Sequence, residues 1–133
     1  MKSYIINGGR RLNGTISVSG SKNASLPILA ATIIGDGVSK LYNVPNISDT
    51  ANTIKILEYL GCKTKRRNGR VEVNSEFVNR TEIPANMMSK MRSSIIFAGA
   101  LLGRFRKVKF SYPGGYEIYW QLIKFNDKIF YYF

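Results

Sequence analysis

Lys22 and Asn23 are the residues of this sequence best placed to do chemistry, because they stand where a β-like run gives way to a helix. Before them, residues 15–19 alternate polar and aliphatic side chains as a half-buried strand does, and Gly20 allows a tight turn. We expect the helix to begin near Ser25, which leaves both side chains in an exposed turn. An ammonium, an amide and backbone N–H groups at the positive end of a helix favour an anion such as phosphate or carboxylate. On this pattern alone, a solvated loop lysine is the more common alternative.

The other candidates for chemistry are an arginine and a cysteine. Arg92 lies near the start of an expected apolar helix, where it either reaches out to solvent or directs its planar guanidinium at a phosphate. Cys62 follows the expected helix end at Leu60-Gly61, where a small buried residue is the favoured interpretation. The sequence contains no histidine, which excludes imidazole acid–base chemistry. We expect no metal site.

Strands and helices that alternate along the chain must position these residues, and this order predicts an α/β fold. The most regular segment is a helix that is capped by Ser48-Asp49, carries an apolar residue at every third position and ends at Gly61. Asn68-Gly69, between two short β-like runs, is the strongest hairpin signal. The other expected elements are strands at residues 4–6, 15–19, 38–44 and 108–112, and helices at residues 25–34 and 86–102.

The composition describes one globular domain with a strong positive charge. A chain of 133 residues is long enough for one domain with a modest core and too short for two. Twenty Lys and Arg against eight Asp and Glu give a formal net charge of +12, which favours anionic partners in general. Much of this excess surrounds Asn68-Gly69 or lies at residues 104–109, where a solvated turn and helix end are the common interpretation. Because no apolar run reaches the length of a membrane span and no signal sequence is found, we expect a cytoplasmic protein without a membrane partner.

The segment from Ser19 to Leu29 resembles, nearly letter for letter, the N-terminal signature of the bacterial UDP-N-acetylglucosamine enolpyruvyl transferases, which are 1-carboxyvinyltransferases. Their sister family, the enolpyruvyl-shikimate-phosphate synthases, is a poorer match. The resemblance extends to about Ile118 through further short matches, which are Asn43-Val44-Pro45, Leu60-Gly61-Cys62, Met91-Arg92-Ser93-Ser94 and Pro113-Gly114-Gly115.

This resemblance implies both a fold and an activity. The family fold has two similar domains built from repeated β-α-β-α-β-β units, and this chain corresponds to one repeat and part of a second. The family transfers the enolpyruvyl group of phosphoenolpyruvate to UDP-N-acetylglucosamine, the first committed step of peptidoglycan synthesis, and uses no cofactor. Lys22 matches the lysine that binds and polarises phosphoenolpyruvate, Asn23 matches the neighbouring amide that contacts the substrates, and Arg92 matches an arginine of the UDP-sugar site.

The match fails at the position of the catalytic cysteine. After Pro113-Gly114-Gly115 the family usually has a cysteine that adds to phosphoenolpyruvate, and here that position is Tyr116, so no catalytic residue is intact. The glycine and arginine that follow in the family are replaced within the run Tyr119-Trp120-Gln121. Half of all aromatic residues lie beyond residue 115, in a segment without clear periodicity. We therefore expect a family portion at residues 1–118 and a non-family tail at residues 119–133, produced by a frameshift near Ile118.

Two functions remain open on the sequence. The first is a truncated enolpyruvyl transferase that is inactive alone. The second is a small basic module that binds nucleic acid or another polyanion through the hairpin and residues 104–109, with the aromatic tail available for stacking. Sequence-independent DNA binding with a steep salt dependence would favour the second function, and selective binding of UDP-N-acetylglucosamine would favour the first.

Overall fold

The structure is a computed structural model and describes residues 3–110. It is a mixed α/β fold, as the order of elements in the sequence predicts. The helices are α1 (Lys22–Ala31), α2 (Ser48–Leu60), α3 (Ala85–Met88) and α4 (Ile96–Phe105), with a 3₁₀ helix at Arg92–Ile95. The strands are β1 (Val38–Leu41), β2 (Lys63–Arg67), β3 (Arg70–Asn74), β4 (Glu82–Ile83) and β5 (Lys109–Phe110).

An antiparallel sheet in the order β1-β3-β2 forms one layer of the fold. The predicted hairpin is confirmed, with Arg67 opposite Arg70 in the register of β2 and β3. Asn68 and Gly69 both have positive φ, at 48° and 73°, which is the geometry that connects twisted strands through a two-residue turn. Val71 and Val73 of β3 are fully buried, so one face of the sheet is directed at the core.

The helices supply the rest of the core. Helix α1 packs against α2 and α4, and α2 also packs against β2. The predicted α2 is confirmed in length, and Gly61 ends it with a φ of 111°. The largest fully buried side chains come from α1, α2, α4, β3 and the segments beside them: Phe97, Leu29, Ile33, Ile56, Leu57, Leu60, Ile83, Met88, Leu101, Val71 and Val73. None of the helices within residues 3–110 is long and apolar enough to cross a membrane.

The two predicted N-terminal strands are wrong, because residues 3–20 form neither strand nor helix. Tyr4, Ile16 and Val18, whose pattern predicted the strands, are between 79% and 92% exposed. A strand needs a neighbour to receive its backbone hydrogen bonds, and alternation of polar and aliphatic residues supplies none. Within the described residues, this segment pairs with no strand.

The start of α1 is also corrected, since the helix begins at Lys22 and not at Ser25. Ser21 is the N-cap, and its hydroxyl accepts a hydrogen bond from the backbone N–H of Ala24 at 3.4 Å. Pro27 therefore lies inside the helix, where its missing N–H leaves the carbonyl of Asn23 without the usual helical hydrogen bond. Lys22 and Asn23 consequently occupy the first helical turn and not a preceding loop.

The predicted helix at residues 86–102 is divided into three pieces. The backbone of Met91 is extended, with φ −152° and ψ 121°, and separates α3 from the 3₁₀ helix and α4. The Ser94 hydroxyl donates to the carbonyl of Met88 at 3.1 Å and stabilises this break. Strand β1 is likewise shorter than predicted, ending at Leu41, because Asn43 turns the chain with a φ of 56°.

The guanidinium of Arg104 joins α4 to the end of α1 and to the end of β3. Its Nη1 donates to the carbonyls of Ile33, Gly35 and Ser75 at 3.1, 2.9 and 2.8 Å. Its Nη2 forms an ion pair with Asp36 at 3.2 Å, and the Arg104 side chain is only 17% exposed. A partly buried guanidinium that donates to several carbonyls replaces water as their partner, so this contact fixes where three segments meet.

We expect Arg104→Met to lower the free energy of unfolding by about 2–4 kcal/mol, because it removes the guanidinium donor from the partly buried carbonyls of Ile33 and Ser75 and breaks the ion pair with Asp36. Urea unfolding followed by circular dichroism measures the change. Lys107→Met, at an exposed position, is the control and should leave the midpoint almost unchanged. Equal midpoints for both variants would contradict the role given to Arg104.

Candidate functional site

A pocket of about 490 Å³ lies where the N-termini of α1 and α2 meet the segment between α3 and α4. It contains all three candidate site residues from the sequence, Lys22, Asn23 and Arg92. The full lining consists of Lys22, Asn23, Leu26, Asp49, Ser89, Lys90, Met91, Arg92 and Ser93. Residues that are 70 positions apart in the chain therefore face one cavity.

The lining mixes polar and apolar side chains and carries a net positive charge. Lys22, Lys90 and Arg92 supply three cations, and Asp49 supplies one carboxylate. Backbone N–H groups of the first turn of α1 add partial positive charge at the same place. Such a cavity favours an anionic ligand, and the planar guanidinium is well suited to phosphate or carboxylate.

The ammonium of Lys22 forms an ion pair with Asp49, with Nζ and Oδ2 2.8 Å apart. The Lys22 side chain is 52% exposed and that of Asp49 is 27% exposed, so both are accessible from the pocket. Sequence reasoning assigned Asp49 only to the cap of α2 and missed its place in the site. The only local signal is an acidic residue in the first turn of a helix, which is common without any ligand.

Gly20 and Asn43 hold the turn that precedes Lys22. The Gly20 N–H donates to the side-chain oxygen of Asn43 at 3.0 Å. A Cβ atom on Gly20 would overlap the backbone carbonyl of Asn43, so only glycine fits this approach. The start of α1 is thereby fixed to the loop that leads into α2.

The segment that carries Arg92 is held by buried neighbours. Met91 is buried, and its sulfur lies 3.6 Å from the hydroxyl of Thr53 in α2. Lys90 and Arg92, on either side of it, are exposed and line the pocket. The anchoring of Met91 therefore keeps two cationic residues at the edge of the cavity.

Cys62 is not a pocket residue. It is buried directly after α2, as predicted for a small structural side chain. Burial raises the pKa of its thiol to about 11, an effect that the charge of Arg104 partly opposes. Among the described residues, no group of three metal-ligating side chains converges. Tyr116, Tyr119, Trp120 and Gln121 lie outside the described residues.

Comparison with known proteins points to enolpyruvyl transferases. The family described as EPSP synthase (3-phosphoshikimate 1-carboxyvinyltransferase) matches residues 6–119. The chain is 47% identical over 118 residues to UDP-N-acetylglucosamine 1-carboxyvinyltransferase 2 of Caldanaerobacter subterraneus subsp. tengcongensis, covering 89% of this chain and 28% of that protein. It is 38% identical over 132 residues to UDP-N-acetylglucosamine 1-carboxyvinyltransferase 2 of Lactococcus lactis subsp. lactis, covering 98% and 31% respectively.

The fold has a neighbour among solved structures. The enolpyruvyl transferase NikO from Streptomyces tendae aligns with a TM-score of 0.64 at 26% identity, covering 74% of this chain and 23% of that one. The chain thus spans less than a third of the length of the relatives that it matches here.

We expect Gly20→Ala to displace the turn before Lys22 and to lower the free energy of unfolding by about 1–3 kcal/mol, because the added methyl group overlaps a backbone carbonyl. Thermal unfolding measures the loss, and the NMR signals of the Lys22 and Asn23 amides report the displacement. Gly8→Ala is the matched control, since nothing lies within 4 Å of the added Cβ atom. Unchanged Lys22 and Asn23 signals in Gly20→Ala would contradict this account.

Proposed function

Since the chain belongs to the EPSP synthase family of 1-carboxyvinyltransferases, we propose that it is the N-terminal part of a UDP-N-acetylglucosamine 1-carboxyvinyltransferase. In this proposal, its pocket binds the anionic groups of that enzyme's substrates. The observation that carries the proposal is the convergence of Lys22, Asn23 and Arg92 on one cationic pocket. The reaction transfers the enolpyruvyl group from phosphoenolpyruvate to UDP-N-acetylglucosamine and releases phosphate.

Each residue has a role that its position allows. Lys22 and the N-terminus of α1 would neutralise phosphate charge while the enol ether is protonated and the sugar hydroxyl adds. Asn23 is adjacent on the same helical turn, where its amide can donate to one substrate and accept from the other. Arg92 faces the pocket from the opposite segment, which suits a contact with the UDP-sugar.

Binding and turnover are separate properties in this proposal. Enolpyruvyl transfer needs a proton donor, a base for the sugar hydroxyl and the exclusion of water. Tyr116 stands at the family's cysteine position, and a phenol with a pKa near 10 is a poorer donor and nucleophile than a thiol. We therefore propose that the 133-residue polypeptide binds substrate without turning it over.

A domain boundary near residue 118 forms part of the proposal. The family match ends at residue 119, close to the predicted end of the family portion. The Caldanaerobacter alignment covers 118 residues, whereas the Lactococcus alignment covers 132. Resequencing the gene across codon 118 tests the predicted frameshift.

The cellular role follows from the proposed reaction. It places the whole protein in the cytoplasm, in peptidoglycan synthesis, and hence in cell-wall formation, cell shape and division. The comparisons give no support to the alternative of a nucleic-acid-binding module. In the hairpin, Arg66 donates to the carbonyl of Pro45 at 2.8 Å and Arg70 pairs with Glu72, so part of the basic cluster already has partners in this chain.

We expect Lys22→Ala to weaken the binding of UDP-N-acetylglucosamine and phosphoenolpyruvate by about 1–3 kcal/mol, the usual cost of losing a charged hydrogen-bond partner. Isothermal titration calorimetry measures the affinity. Lys63→Ala removes the same charge from strand β2 and should leave the affinity unchanged. Equal losses in both variants would indicate general electrostatic attraction and no specific site.

We expect the purified 133-residue chain to release no phosphate from phosphoenolpyruvate and UDP-N-acetylglucosamine above background. Tyr116→Cys alone should not restore turnover, because Gln121 stands near the family's arginine position and the relatives are much longer than this chain. A phosphate-release assay decides the matter. If the unmodified chain releases phosphate and Lys22→Ala abolishes that release, the proposal that the chain is inactive is refuted.

A further inference from the structure

The Lys22–Asp49 ion pair creates a competition inside the pocket. An anionic ligand needs the ammonium of Lys22, but the carboxylate of Asp49 already lies 2.8 Å from it. Asp49 is itself part of the pocket lining, so it would lie within a few ångströms of the bound anion. Like charges at that separation repel, and the ligand must displace the carboxylate or share the ammonium with it.

Asp49 cannot leave the site by moving its backbone, because the start of α2 is fixed. The Thr50 hydroxyl donates to the carbonyl of Pro45 at 2.7 Å, and the Thr53 hydroxyl donates to the carbonyl of Asp49 at 2.9 Å. Thr50 and Thr53 are both fully buried. Exchange is therefore confined to the Asp49 side chain, which stays near the positive end of α2 in any rotamer.

We propose that Asp49 is a positioning and specificity-determining residue that holds the Lys22 ammonium until a substrate binds and makes small inorganic anions poor competitors for it. A free phosphate ion that displaces the Asp49 carboxylate from Lys22 forms one strong ion pair, but it is still repelled by that carboxylate nearby. A larger substrate with additional groups reaches Asn23 and Arg92 as well, so the exchange costs it a smaller share of its binding energy. This inference rests on the proposed function, since it concerns the selectivity of the same site.

A purely structural role makes the opposite prediction. If the ion pair only clamps α1 to α2, its removal loosens the pocket and weakens every ligand. If Asp49 competes with the ligand, its neutralisation strengthens the binding of a simple anion. The sign of the change in phosphate affinity therefore separates the two roles.

The test compares Asp49→Asn with the unmodified chain, using inorganic phosphate and UDP-N-acetylglucosamine as separate probes in calorimetric titrations. We expect Asp49→Asn to bind inorganic phosphate about 3- to 10-fold more tightly, because one nearby negative charge is removed. Its affinity for UDP-N-acetylglucosamine should change by a smaller factor, so that the preference for the substrate falls. Asp49→Glu keeps the charge and should retain the original phosphate affinity.

Glu82→Gln is the matched control, since it breaks an ion pair of similar length, with Lys109 at 2.9 Å, outside the pocket lining. It should leave both affinities unchanged. Phosphate binding that is unchanged, weakened or undetectable in Asp49→Asn would overturn the inference. One outcome would refute only the role of Asp49 and leave the proposed function standing. In it, the unmodified chain binds UDP-N-acetylglucosamine with an affinity that Lys22→Ala lowers, but Asp49→Asn does not change the affinity for phosphate. If phosphate tightens as expected but UDP-N-acetylglucosamine never binds, the proposed function fails and the competition at Lys22 stands.

Discussion

The partly buried guanidinium of Arg104 is the contact on which the rest of the structure depends. It donates to two carbonyls that follow α1 and to the Ser75 carbonyl that follows β3, while the Gly20–Asn43 contact holds the other end of α1. A helix of ten residues is about 15 Å long, and these two contacts hold α1 in place at both of its ends. Because Lys22 is its first residue, the same two anchors determine where the ammonium enters the pocket.

The sequence predicts well those parts of the fold whose conformation is determined by residues adjacent in the chain. Helix α2 follows from its apolar spacing and the glycine after it, and the hairpin follows from Asn68-Gly69, whose backbone conformation the turn requires. Lys22 and Asn23 stand out in the sequence as an anion site at the start of a helix, and the family resemblance adds roles for them and for Arg92. The structure brings all three to one cavity. Their individual roles remain predictions, which the Lys22→Ala titration addresses first.

The parts that the sequence does not predict depend on distant contacts. The alternation near Ile16 indicates a strand only if a partner strand exists, and the described residues supply none for it. The helix expected at residues 86–102 is broken at Met91, whose anchoring by Thr53 of α2 no local pattern reveals. Asp49 was missed for the same reason, because its meeting with Lys22 requires α1 and α2 to be packed first.

Because Cys62 is buried, the reactivity of its thiol reports local unfolding of the protein around it. It is the one cysteine among the 133 residues, it lies in the core at the end of α2, and burial raises its pKa. Only the thiolate reacts with alkylating reagents, so the folded chain is protected both by steric exclusion and by the scarcity of thiolate. Labelling by such a reagent therefore proceeds through transiently opened molecules, and its rate measures how often the junction of α2 and β2 separates from the core.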